Sequence, residues 1–227
     1  MKGRTREYRR EPVASLRSVL READALYEGR GRLQRTFERL ATRLDSMGIA
    51  YGLVGAYALI LHGVRRFTED LDLLLKPADL KRLRDELIGK GYRSVRGNSH
   101  CLRDAETGVR IDLVLSGAYP GDGKPKPIAF PDPAACLAAG KDIKVVRLTT
   151  LIELKLASGM TAPDRLQDLA DVQRLIRVHR LRASFARSLH PYVRQTFVDL
   201  VRTVSGGAPE RRRGSPAQPE PCAWTKP

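Results

Sequence analysis

Two aspartates separated by one residue begin an apolar run, EDLDLLL, at residues 69–75. Alternate side chains of a β-strand share a face, so Asp70 and Asp72 are expected to project together while the leucines between and after them point into a core. Neighbouring carboxylates repel each other unless a cation lies between them, and a hard divalent ion such as Mg²⁺, bound together with substrate phosphates, is the usual partner. A surface strand with a solvated acidic face fits this motif equally well.

A third aspartate favours the metal-binding interpretation. Asp112 has the same phase within a second apolar run, RIDLVL, at residues 110–115. If the two strands are neighbours, three carboxylates converge above a sheet whose opposite face is buried. Such a set suits a two-metal centre, in which one ion activates a hydroxyl and the other holds a leaving pyrophosphate. A lone strand aspartate is more often an edge or turn residue, and the matched phase argues against that here.

A glycine-led turn precedes the acidic motif in the segment YGLVGAYALIL at residues 51–61. Gly55 lies where a strand is expected to turn into a helix, so the backbone N–H groups of the helix start are free to approach a phosphate. Turns of this kind are common in α/β proteins, so the signal is weak alone. Between this turn and the acidic pair, Arg66 and Thr68 offer a guanidinium and a hydroxyl for phosphate contacts.

A lysine interrupts the apolar face of a later helix, in TLIELKLA at residues 150–157. A helical wheel places Lys155 between Leu151 and Ile152, inside the apolar arc. A lysine in this position either extends its ammonium from the core edge to solvent or directs it at a bound anion, and we expect the anion. Thr150 and Glu153 predict a capping box at the start of the same helix.

A row of charged residues follows on the next predicted helix. Arg165, Asp168 and Asp171 recur at three-residue spacing and so share one face. Pairing within the helix explains this row without any function, since such pairs stabilise a helix by about 0.2–0.5 kcal/mol each. The alternative is that Arg165 and Asp168 line a cleft.

Together these residues resemble the nucleotidyltransferases of the DNA polymerase β-like superfamily, and within it the AbiEii-type toxin branch. The family pattern is a strand, a glycine pair, a short helix ending near a glycine, Arg-x-Thr-x-Asp-hydrophobic-Asp, and a later aspartate between apolar residues. The matching parts of this chain are Gly55-Ala56, Gly63, RFTEDLD at 66–72 and IDL at 111–113. The LIELKLA segment and the Arg-x-x-Asp-x-x-Asp helix extend the likeness over about residues 50–176. Ala56 departs from the usual serine or second glycine, which removes a hydroxyl contact but keeps the backbone donor.

The resemblance implies an α/β (α+β) protein of the polymerase β-like nucleotidyltransferase fold, with a small mixed sheet followed by a helical domain. It also implies transfer of a nucleoside monophosphate from an NTP to an acceptor hydroxyl, with release of pyrophosphate. Two Mg²⁺ ions, with Mn²⁺ as the alternative, are the implied cofactors. By the same resemblance Asp70, Asp72 and Asp112 are catalytic metal ligands and Lys155 is a catalytic contact to the triphosphate. The further nucleotide-binding positions are Gly55, Ala56, Arg66, Thr68, Arg165 and Asp168.

The charge of the chain suggests the acceptor. Lysine and arginine number 41 against 26 acidic residues, a formal net charge of +15, which favours polyanions such as RNA. Resemblance to the toxin branch implies the 3′ end of tRNA as acceptor and a cognate antitoxin as partner in a toxin–antitoxin system. Two alternatives stay open: a nucleotidyltransferase acting on an antibiotic or a protein hydroxyl, and a non-catalytic RNA- or protein-binding module of the same fold.

Composition along the chain predicts four parts within its 227 residues. These are a basic extension (1–32), the nucleotidyltransferase core (33–148), a helical domain (149–204) and a disordered tail (205–227). We also expect a loop over residues 117–133 and a strand over residues 143–148.

Cysteine usage and hydropathy predict where the protein resides. Three cysteines without metal-ligand spacing indicate a reduced, cytoplasmic chain with no disulfide framework. Residues 46–64 carry no formal charge, yet their four glycines and one histidine fit a strand, a turn and a short helix better than a membrane span. No membrane association is therefore expected.

Overall fold

The computed structural model describes residues 31–139 and 143–206. The predicted basic extension lies outside the described residues except at positions 31 and 32. The predicted tail also lies outside them, apart from residues 205 and 206, where the last helix continues. Cys101 and Cys136 are buried free thiols, and Cys222 lies beyond the described part.

The first half of the chain builds a five-stranded mixed sheet. The strands are β1 (Tyr51–Val54), β2 (Asp70–Leu75), β3 (Tyr92–Val95), β4 (Asn98–Asp104) and β5 (Arg110–Leu115). Their spatial order is β1-β2-β5-β4-β3. The β2–β5 pair is parallel and the other three pairs are antiparallel. The small mixed sheet expected from the sequence is therefore present.

Six α-helices accompany the sheet within the described residues. They are α1 (Arg32–Ser46), α2 (Gly55–Leu61), α3 (Pro77–Leu87), α4 (Leu148–Thr161), α5 (Leu166–His179) and α6 (Pro191–Gly206). The last three follow one another without an intervening strand, which confirms an α/β half followed by a helical half. In the described part of the chain no helix has both the length and the apolarity needed to cross a bilayer.

The core forms where apolar periodicity meets the sheet. Leu71, Leu73 and Leu75 of β2 are fully buried, as the alternation of the strand predicts. On α1, Leu33, Phe37, Leu40 and Leu44 form the buried face at helical spacing. A continuous apolar core joins these elements to the helical half.

Two local predictions for residues 143–153 are wrong. The strand expected over residues 143–148 is reduced to two isolated bridges, because Val145 pairs with Leu53 and Val146 with Leu137, so no continuous ladder forms. The capping box is absent because α4 begins earlier, at Leu148. The Glu153 carboxylate instead accepts the backbone N–H of His190 at 2.6 Å.

The loop between β5 and α4 is fastened to α4. The ammonium of Lys126 donates to the carbonyl of Pro120 at 2.5 Å and to the Thr161 hydroxyl at 2.9 Å, and its side chain is only 5% exposed. Gly121, with φ +74°, lies so close to α4 that a Cβ would approach the Thr161 hydroxyl to 2.5 Å. Glycine is required at this position for both conformation and space.

A pair of alanine substitutions separates these two requirements. Gly123 also has positive φ, at +72°, but nothing lies within 4 Å of the point that a Cβ would occupy there. We expect Gly123→Ala to lower the free energy of unfolding by about 1 kcal/mol through backbone strain. Gly121→Ala should lower the free energy of unfolding by about 1–3 kcal/mol more than Gly123→Ala does, because its Cβ would also displace the loop from α4. Urea unfolding measures both values, and equal losses would contradict the described packing.

Candidate active site

The parallel pairing of β2 and β5 brings the three strand aspartates together. Asp72 is directly opposite Asp112, and Asp70 is opposite Arg110. The condition on which the sequence argument depended, that these two strands are neighbours, is met, and the aspartates line the same cleft. All three aspartates line one cleft of about 630 Å³.

Asp72 lies against the first turn of α2. A Cβ on Gly55 would overlap the Asp72 Oδ2 atom, and the φ of Gly55 is +66°. The backbone N–H of Ala56 donates a hydrogen bond to the same carboxylate. The glycine predicted to admit a phosphate therefore also makes room for Asp72.

Burial and like charge both act on Asp72. Burial is the main cause that raises its pKa, to about 7, and the charges of Asp70 and Asp112 raise it further. Lys155 and the Ala56 N–H act in the opposite direction without cancelling the effect. A carboxyl group in this environment gains stability from any cation that joins it.

Each of the other two carboxylates has a hydrogen-bond donor beside it. The Thr68 hydroxyl donates to Asp70 Oδ1 at 2.7 Å. The Arg110 guanidinium donates twice to Asp112 Oδ1, from Nε at 3.0 Å and from Nη2 at 2.8 Å. Sequence reasoning missed Arg110, although its position two residues before Asp112 in the same strand places it on the same face.

The donor set of this cleft fits a hard divalent ion. It offers carboxylate oxygens, crowded enough to raise the pKa of Asp72, and hard cations with substrate phosphates bind such oxygens. Within the described ranges, however, no three His, Cys, Asp or Glu side chains stand close enough to hold one ion by themselves. The three aspartates were expected to converge on one point, but they share only a cleft. Asp112 is paired with Arg110. Phosphate or water oxygens must therefore complete the coordination of any bound ion.

The opposite side of the cleft carries Lys155 of α4. Its side chain is buried, which confirms its predicted place within the apolar arc. The ammonium contacts Asp168 Oδ1 at 2.6 Å and Asp171 Oδ2 at 2.9 Å. The Ser158 hydroxyl donates to the second oxygen of Asp168 at 2.6 Å. Contact between Lys155 and a triphosphate stays a prediction.

The charged row that begins just before α5 with Arg165 shows both lining of the cleft and pairing within the helix. Arg165 and Asp168 line the cleft. Asp171 is fully buried and pairs with Arg174 within the helix, and it also pairs with Arg66 from the segment before β2. Arg66, predicted as a phosphate contact, therefore lies in the cleft wall with a carboxylate behind it.

All ten residues predicted from the sequence line this one cleft. They are Gly55, Ala56, Arg66, Thr68, Asp70, Asp72, Asp112, Lys155, Arg165 and Asp168. The cleft also includes Arg110, Ser158, Tyr119 and Phe130, which the sequence reasoning did not identify. Tyr119 and Phe130 belong to the loop after β5, where no motif marks them.

The raised pKa of Asp72 leads to a pH-dependent stability. Between the ordinary pKa of 3.8 and about 7, the folded chain keeps a proton that the unfolded chain releases, so stability falls as pH rises through this window. In EDTA, the free energy of unfolding of Asp72→Asn relative to that of the wild type should therefore rise by about 1–3 kcal/mol as the pH is raised from about 5 to about 8. Urea unfolding at each pH measures the difference, and parallel pH curves for the two proteins would contradict it.

Two solved structures of one antibiotic-resistance factor are similar to this chain. No protein-family model and no curated protein matches the chain. A crystal structure of ANT(2″)-Ia in complex with adenylyl-2″-tobramycin is 11% identical, with a TM-score of 0.46, and the match covers 74% of this chain and 96% of that one. A solution structure of the antibiotic-resistance factor ANT(2″)-Ia is 12% identical, with a TM-score of 0.45 and coverage of 74% and 90%. Likeness at these values assigns neither activity nor substrate to this chain, and closeness to the AbiEii-type branch stays a prediction.

Proposed function

We propose that this chain is a metal-dependent nucleotidyltransferase of the polymerase β-like fold. It would transfer a nucleoside monophosphate from an NTP to an acceptor hydroxyl and release pyrophosphate. The observation that carries this proposal is the combination of charges in one cleft. The cleft is lined by three carboxylates from β2 and β5, Asp70, Asp72 and Asp112, and by the cations Lys155 and Arg66, which share the buried Asp171.

The carboxylates and the cations of the cleft have different roles in nucleotidyl transfer. Divalent ions, Mg²⁺ or Mn²⁺, held by Asp70 and Asp72, would supply charge neutralisation and polarise the attacked phosphate when bound. Arg110 orients Asp112 beside Asp72, which keeps the third carboxylate on the metal-binding side. Lys155 and Arg66 bind the triphosphate, and the Ala56 N–H lies at the helix start next to it. Catalysis then consists of positioning and electrostatic stabilisation.

A non-catalytic binding module explains this cleft less well. Packing alone does not require a buried aspartate beside two further carboxylates, and this burial, together with the charges of Asp70 and Asp112, raises the pKa of Asp72 to about 7. Such an arrangement lowers stability, and perturbed carboxyl groups of this kind cluster in functional sites. The crowding is useful only when cations enter the cleft.

RNA is the acceptor that the surface favours. Four exposed arginines follow one another around the end of α5, and none of them pairs with a carboxylate in the described part of the chain: Arg177, Arg180, Arg182 and Arg187. We call these four the arginine surface. Unpaired guanidinium groups bind phosphate oxygens with good geometry. An antibiotic or a protein hydroxyl as acceptor would not need such a surface.

The backbone of Arg180 supports this assignment. Arg180 ends α5 in the left-handed conformation, with φ 51° and ψ 41°, a position that usually holds glycine. A side chain there costs about 1 kcal/mol, so an arginine is retained at some expense in stability. Binding of a polyanion gives a reason to keep it.

The finer parts of the proposal rest on the sequence alone. The resemblance implies the 3′ end of tRNA as acceptor and a cognate antitoxin as partner, and cysteine usage implies a cytoplasmic location. The basic composition is compatible with the first of these.

The reaction is tested by incubating the protein with each α-labelled NTP, Mg²⁺ and total tRNA. We expect label on RNA with at least one NTP. Asp70→Asn and Asp72→Asn should reduce transfer by at least about 10²-fold, because each removes charge that holds the ions. Glu69→Gln is the matched control, since this exposed neighbour does not line the cleft. Label on a small molecule or a protein instead of RNA would overturn the acceptor, and no NTP binding or turnover at all would overturn the function.

A second variant separates RNA binding from folding. Arg180→Gly removes one arginine and relieves the left-handed backbone, so the free energy of unfolding should stay equal or rise. The affinity for tRNA should fall by about 3- to 10-fold, and the salt dependence of binding should become shallower. Filter binding over a salt series measures both. Unchanged affinity and slope would remove the arginine surface from the proposal.

A further inference from the structure

Asp171 is a fully buried carboxylate surrounded by cations from three parts of the chain. Its Oδ2 atom contacts Arg66 Nη1 from the segment before β2 and Lys155 Nζ of α4, the latter at 2.9 Å. Its Oδ1 atom contacts Arg174 Nη1 at 2.9 Å and accepts from the Gln167 amide at 3.2 Å. One oxygen thus faces the cations of the cleft and the other faces its own helix.

The placement of Asp171 differs from that of its partners. Arg66 and Lys155 line the cleft, whereas Asp171 lies behind them and does not. Burial of a charged carboxylate is expensive, and buried ion pairs are often no more stabilising than apolar residues of the same size. Stability alone is therefore a weak explanation for this cluster.

The two cations of the cleft share one carboxylate behind them. Arg66 and Lys155 line the cleft and contact the same oxygen of Asp171, whereas Arg174 contacts the other oxygen from outside the cleft. The carboxylate then fixes the two cations at a common point from behind.

We infer that Asp171 is a positioning residue, which holds Arg66 of the α/β half and Lys155 of the helical half in the geometry that binds the triphosphate. This inference rests on the proposed function and names the residue that ties together the two walls of the cleft. It has a sharp alternative. If Asp171 only competes with phosphate for the same cations, its removal strengthens nucleotide binding; if it positions them, its removal weakens binding.

The sign of the change in affinity decides between these accounts. Fluorescent analogues of the four NTPs are titrated into the wild type, Asp171→Asn and Arg174→Gln. We expect Asp171→Asn to raise the Kd of the bound analogue by about 10- to 100-fold, with KM rising more than kcat falls. Arg174→Gln removes a partner of the same carboxylate outside the cleft, so its Kd should stay within about 2-fold of the wild type. An unchanged or lower Kd for Asp171→Asn overturns the inference.

A second comparison applies if Asp171→Asn does not fold. Arg66→Lys keeps the charge but loses the guanidinium fork that contacts both Asp171 and the cleft. Its Kd should approach that of Arg66→Gln; a Kd equal to the wild type would show that charge alone suffices and would overturn the inference. If the wild type binds none of the four analogues, the proposed function itself fails. Binding by the wild type with equal binding by the variants rejects only the role of Asp171.

Discussion

Repulsion between carboxylates held on two adjacent parallel strands is the constraint from which the rest of the cleft follows. Asp72 and Asp112 are directly opposite in register, and Asp70 is two residues from Asp72 on the same face. The surrounding structure relieves this repulsion only in part. Thr68 donates to Asp70, Ala56 donates to Asp72 and Arg110 donates to Asp112. These contacts orient the carboxylates, but burial and the neighbouring charges still leave Asp72 with a pKa of about 7, so a cation entering the cleft would stabilise the charged form of this group.

Lys155 is engaged by partners other than the strand aspartates. It lowers the pKa of Asp72, yet its ammonium is bound to Asp168 and Asp171. Arg110, by contrast, pairs directly with Asp112. The two carboxylates of α5 thus compete with Asp72 for the charge of Lys155, and the pKa of Asp72 stays at about 7.

Sequence periodicity was sufficient for features set by one element or one strand pair. Alternation in β2 and β5 predicted the shared face of the aspartates, and the helical wheel predicted that Lys155 is buried. Periodicity was insufficient wherever a side chain contacts a residue that is distant in the sequence. The pairing of Arg66 with Asp171 spans 105 positions, and no local pattern indicates it. The strand expected at 143–148 is absent because Val145 and Val146 bridge to two different segments, and the expected capping box is absent because α4 begins at Leu148.

A single row on α4 links the cation side of the cleft to the loop that closes one end. Lys155, Ser158 and Thr161 recur at three-residue spacing and so share a face of the helix. Lys155 and Ser158 bind the two oxygens of Asp168. Thr161 accepts from Lys126, and Gly121 of the same loop packs against both Ser158 and Thr161. The loop carrying Tyr119 and Phe130 is thus positioned by the same helix that carries Lys155, so a displacement of α4 would move Lys155 and this part of the cleft lining together.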